Sequence, residues 1–133
     1  MEREIKEFIE DIGAREPQHE LFRKVFKRRH YFKLSDKFMT VKISRIKKPF
    51  WGLPKAFVDL GNELDDYLVV LLVSSGEGWV FSKHEVNSHV ASGRWKLAEK
   101  DQNYKIHFPL PDKNSFYSPS HFKQKVGVGD ISN

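Results

Sequence analysis

The sequence predicts a single α/β domain in which a small mixed β-sheet is flanked by helices. Three features carry that expectation. Residues 67–73, Tyr-Leu-Val-Val-Leu-Leu-Val, form an unbroken apolar run rich in branched side chains, the pattern of a strand buried on both faces. Residues 3–12 place Ile5, Phe8, Ile9 and Ile12 at helical spacing. Helix-like and strand-like stretches then alternate along 133 residues, a length that suits one domain and can bury a sizeable core without covalent staples. The chain has no cysteine, so a disulfide scaffold and a cysteine-ligated zinc or iron–sulfur centre are excluded.

The first helix ends at Gly13 and carries acidic residues opposite its apolar stripe. A second helix is expected over residues 16–29. Pro17 stands in its first turn, Glu16 and Glu20 lie near its N-terminus, and Leu21, Phe22, Val25 and Phe26 form its stripe. Lys27, Arg28 and Arg29 fall in its last turn, where the negative end of the helix dipole accounts for part of the charge. Two short strands follow around the turn Ser35-Asp36-Lys37. In the second, Met39, Val41 and Ile43 alternate with Thr40, Lys42 and Ser44, so one set faces a core and the other faces away. Residues 45–55 are broken by Pro49, Gly52 and Pro54 and predict a loop. Residues 55–60 fit either a short helix or a strand.

The apolar run at 67–73 leads through Ser-Ser-Gly-Glu-Gly into Trp-Val-Phe-Ser-Lys, which predicts a hairpin. Ser82 and Glu85 have capping-box spacing, Val86 and Val90 lie one turn apart, and Gly93 closes the helix. Arg94–Leu97 and Tyr104–Leu110 predict two strands around residues 99–103. In the second, Lys105 and His107 alternate against Tyr104, Ile106 and Phe108. The domain is expected to span residues 1–112, with a partly ordered tail over 113–133 that holds a short helix near residues 118–125.

Charge is concentrated rather than spread. Between Arg23 and Lys48 stand eleven Lys and Arg against Asp36 alone, while the whole chain carries a net +5. Such polarisation is the usual footprint of a polyanion partner. Aromatic rings adjoin it: Arg45, Lys47, Lys48, Phe50, Trp51 and Lys55 form a basic aromatic strip. Lys and Arg neutralise phosphates and release counterions, and an exposed ring stacks on a base or wedges between bases. Trp51 is either that exposed ring or a core residue beside a lysine-rich loop. The expected partner is nucleic acid, double-stranded DNA rather than RNA, contacted by Arg23, Lys27, Arg28, Arg29, Lys42, Arg45, Lys47, Lys48 and Trp51. The N-terminus lacks a signal-peptide core and no apolar run is long enough for a bilayer, so a cytoplasmic protein without a membrane partner is expected. The six histidines show no metal-ligand spacing, and no cofactor is expected.

The order of elements through residue 93 resembles the restriction-endonuclease-like PD-(D/E)xK superfamily. The likeness rests on a leading helix, a hairpin ending in Val-Lys-Ile-Ser-Arg, the Pro-Phe-Trp loop, the buried strand and Trp-Val-Phe-Ser-Lys. The superfamily places an acid on one strand and an acid-x-Lys on the next, which hold magnesium at a phosphate. Here Thr40-Val41-Lys42 occupies the second motif, so a neutral hydroxyl stands where the acid belongs. The resemblance therefore implies a degenerate core that binds DNA, with Lys42 either a phosphate contact or a solvent-facing strand lysine. An active magnesium-dependent endonuclease using Asp36 and Lys42, with Glu7 or Glu10, is the alternative. A protein–protein adaptor with a basic docking face is a further one. A second resemblance, to the plant-type pseudobarrel DNA-binding domain, rests on Leu-Ser-Asp-Lys-Phe, Leu-Pro-Lys-Ala-Phe, Gly-Glu-Gly-Trp-Val-Phe and Val-Gly-Val-Gly-Asp. It also implies a DNA partner.

Overall fold

A computed structural model describes residues 2–15, 31–64 and 66–128. The first helix, α1 (Arg3–Ile12), buries Ile5, Phe8, Ile9 and Ile12, the stripe its spacing predicts. Gly13 ends it in the left-handed region at φ 75°, where the missing Cβ removes the usual penalty. The expected helix over residues 16–29 lies outside the described residues.

The central sheet has five strands in the order β1-β2-β4-β5-β8. They are β1 (Tyr31–Leu34), β2 (Lys37–Ile43), β4 (Tyr67–Leu72), β5 (Gly78–Ser82) and β8 (Ser115–Phe116). The β1–β2 and β4–β5 pairs are antiparallel, whereas β2 and β4 run parallel, with Met39 opposite Leu68 and Val41 opposite Val70. The sheet is thus mixed, as the sequence predicts. Every residue of β4 is buried. Alternation sends Leu68, Val70 and Leu72 into one core and Tyr67, Val69 and Leu71 into another. The first core is closed by α1 and by Phe122 of α4 (Pro119–Lys125).

The second core is closed by α2 (Lys55–Gly61), α3 (Lys83–Ala91) and a separate three-stranded sheet. That sheet has the order β3-β7-β6, formed by β3 (Phe50–Pro54), β7 (Asn103–His107) and β6 (Lys96–Ala98). Residues 50–54, expected as loop, are therefore a strand. Gly52 and the two prolines break the helix pattern, but a strand at a sheet edge tolerates both. Residues 55–60 settle as a helix. At the start of α3, Ser82 Oγ accepts from the Glu85 N–H and Glu85 returns the bond to the Ser82 N–H, the reciprocal cap the spacing predicts.

The segment 113–128 contributes to the core through Phe116 and Phe122. Its strand β8 pairs with β5, and Phe116 and Phe122 pack on Phe8 at ring centroid distances of 5.7 and 5.0 Å. Among the described residues no helix is long and apolar enough to cross a membrane.

Candidate nucleic-acid interface

The basic aromatic strip divides when folded. Trp51 points inward from β3, is 2% exposed, and donates its indole N–H to the Leu72 carbonyl at 3.1 Å. This corrects the expectation that it stacks on or wedges into a ligand: its ring joins the two sheets. Pleating is the cause, because β3 alternates and its inward positions, Trp51 and Leu53, belong to the second core. The outward neighbour, Phe50, is 39% exposed.

Arg45 is likewise occupied. Its guanidinium grips Glu4 through Nε and Nη2 and reaches Glu2 at 3.1 Å. The side-chain hydrogen bond from Arg45 holds the Glu4 carboxyl down to about 2. Two carboxylates from the start of α1 therefore cancel the charge that the sequence assigns to phosphate. Lys55 is paired in the same way with Asp59, one helical turn on.

The Asp36–Lys42 pairing does not form. Asp36 sits in the β1–β2 turn and Lys42 near the far end of β2, a separation of roughly 20 Å along an extended strand. The two cannot address one phosphate. Glu7 faces solvent beside Arg3, and Glu10 is exposed. Lys42 and Glu2 both line a cleft of about 150 Å³ between β2, β3 and the start of α1, which Phe50 and Gly52 share. Among the described residues no group of three or more His, Asp or Glu is placed to hold a metal ion.

Lys47 and Lys48 remain exposed in the β2–β3 loop beside Ile46, which is 59% exposed. Neither forms an ion pair among the described residues. The loop runs directly into the outer face of the three-stranded sheet. Register places Phe50 opposite His107, Gly52 opposite Lys105, and Lys105 opposite Lys96. The outward positions of the three strands thus hold Phe50, Gly52, Pro54, Asn103, Lys105, His107, Lys96 and Ala98, with no carboxylate among them. The Phe50 and His107 rings stack at 5.3 Å and 27°. Lys105 Nζ lies 5.5 Å from the Phe50 centroid and also pairs with Asp101 in the adjoining turn.

His107 also lines a cleft of about 320 Å³ with His89, Arg94, Trp95 and Leu110. The His89 and Trp95 rings stack at 4.6 Å and 18°. Burial, and then the nearby Arg94 charge, depress the His89 pKa, which favours the neutral ring.

Lys96, Arg94 and the outward role of His107 were missed when the charge was read as one run of sequence. The signal was present in the alternation of Lys105 and His107 with Ile106. It lacked the information that β7 pairs with β3. Arg23, Lys27, Arg28 and Arg29 lie outside the described residues. Comparison with protein-family models, with curated proteins and with solved structures finds no match.

Proposed function

We propose that the protein binds nucleic acid, with DNA as the partner to test first, and that it does so through the β2–β3 loop and the outer face of the three-stranded sheet. One observation carries this reading. The outward positions of three adjacent strands hold lysine, histidine and an exposed ring without a carboxylate, and they continue into Lys47 and Lys48. Polyanion attraction needs cations that are not already neutralised. Lys47, Lys48 and Lys96 meet that requirement, and Lys105 meets it in part, because Asp101 shares its charge. Lys42 lines the neighbouring cleft, and Arg23, Lys27, Arg28 and Arg29 are further residues that this reading assigns to phosphate contact. The core is then a degenerate relative of a nuclease, in which Lys42 keeps a phosphate-binding role while Thr40 leaves the acid position empty of charge.

The test is a salt series with labelled DNA on the intact protein and on the double variant Lys47→Glu, Lys48→Glu. The affinity of the intact protein should fall steeply with salt. Each lost phosphate contact lowers the log–log slope by about 0.9, so the double variant should bind at least tenfold more weakly and with a slope shallower by roughly two. Its thermal midpoint should stay unchanged, because both side chains are exposed. A flat salt dependence, or normal binding by the variant, removes the reading. Competition by heparin as strong as by DNA would favour a general acidic partner.

A further inference from the structure

We infer that the cleft beside His107 receives one unpaired base of a single strand, with the base continuing the Phe50–His107 stack. This rests on the nucleic-acid reading above and names the form of strand that it takes. Three observations converge on the place. The Phe50 and His107 rings form a short aromatic column on an exposed sheet face. His107, at the end of that column, is also a wall of a cleft of about 320 Å³, a volume at the small end of the roughly 300–1,000 Å³ found for ligand pockets. Arg94 lines the same cleft and has no ion pair among the described residues.

These parts match the chemistry of an unpaired nucleotide. A planar base offers a π-face to an imidazole or phenyl ring whatever its sequence, so stacking tolerates every base. A guanidinium beside the ring reaches a phosphate oxygen or a base edge with paired donors. Leu110 and Trp95 supply the apolar wall that excludes water. Lys47 and Lys48 stand in the loop that leads into Phe50, and they would meet the phosphates of neighbouring nucleotides. A fully paired duplex hides its base faces in its own stack and cannot fill the cleft without opening.

The experiment compares three labelled ligands by anisotropy: a single-stranded thymidylate oligomer, an abasic strand of equal length, and a duplex. The abasic strand keeps the phosphates and lacks the rings. The intact protein should bind thymidylate about tenfold more tightly than the abasic strand, the scale of one stacked base. His107→Ala should erase that ratio by weakening thymidylate binding far more than abasic binding, and His107→Phe should restore it. Arg94→Ala should weaken thymidylate binding more than abasic binding. Equal affinity of the intact protein for the first two strands, with salt dependence retained, overturns the base cleft and leaves the phosphate reading standing. Loss of both affinities to the same degree in His107→Ala also overturns it. If none of the three ligands binds, both readings fall.

Discussion

Among the described residues, the five-stranded sheet is covered on both faces, whereas the three-stranded sheet is covered on one. In the first, α1 and α4 seal one side, and α2, α3 and the smaller sheet seal the other. Its central strand has no exposed residue. In the second, Trp51, Leu53, Tyr104 and Ile106 face the core while Phe50, Lys105 and His107 face outward. Buried strands must be apolar on both sides, so the large sheet has little freedom to carry binding chemistry along its length. The small sheet keeps one side for packing and leaves the other for polar and aromatic groups. Under the proposed function, stability and recognition fall to different sheets.

The same substitution made in each sheet gives the sharpest contrast. A Cβ on Gly78 in β5 would collide with the Leu71 carbonyl oxygen and lie 2.9 Å from the Leu72 Cα. These are backbone atoms of the neighbouring strand, which cannot move without breaking the β4–β5 ladder. Gly78→Ala should cost about 3 kcal/mol or more, read as a fall in the urea midpoint. Unchanged stability would show that the β4–β5 pairing is not as close as described.

The link between the sheets comes next. Trp51→Phe removes the indole donor and leaves the Leu72 carbonyl with its remaining partner, the Ser44 N–H at 3.0 Å. The expected cost is about 2 kcal/mol, from a lost buried hydrogen bond and the smaller ring. Nucleic-acid affinity at a temperature where the variant stays folded should not change. A selective loss of binding would return Trp51 to the interface and break the division between the sheets.

The ion pair between Arg45, just after β2, and Glu4 of α1 is a smaller effect and depends on pH. Glu4 titrates at about 2 in the folded chain, against 4.5 for the ordinary carboxyl. Its folded value is depressed, so its contribution is fully present above pH 4.5 and disappears as pH falls towards 2. Melting curves of the intact protein and Glu4→Gln should differ at neutral pH and converge through that acid window. Because the pair is exposed, the difference should be modest and should shrink with added salt. A difference that persists unchanged at pH 2 would mean that Arg45 is not the cause.

The smallest effect is expected in the open sheet. The nearest atoms to a Cβ on Gly52 belong to the Asn103 side chain, at 3.5 Å, an ordinary contact. Gly52→Ala should change stability by less than about 1 kcal/mol, and the reduced freedom of the unfolded chain favours a gain. A large loss measured by denaturant titration would show that the outer face of this sheet is packed against something.

The sequence by itself determined the elements whose signals are local. The apolar run of β4, the stripe of α1 with its Gly13 stop, and the Ser82–Glu85 cap each depend on residues a few positions apart, and each forms as expected. Concentrated positive charge between Arg23 and Lys48 was legible in the same way. Tertiary structure alone decided which charges and rings stay available. Residues 50–54 lacked any strand pattern of their own, and they became a strand because β7, about fifty residues later, offers its edge to them. That pairing turned Trp51 inward and Phe50 outward, and it set His107 beside Phe50. Glu2 and Glu4, some forty residues before Arg45, cancelled a charge that looked free. Helical and strand periodicities are short-range properties of the chain. The choice of a pairing partner or a counterion is made by contacts between distant segments, which carry no periodic mark in either segment alone.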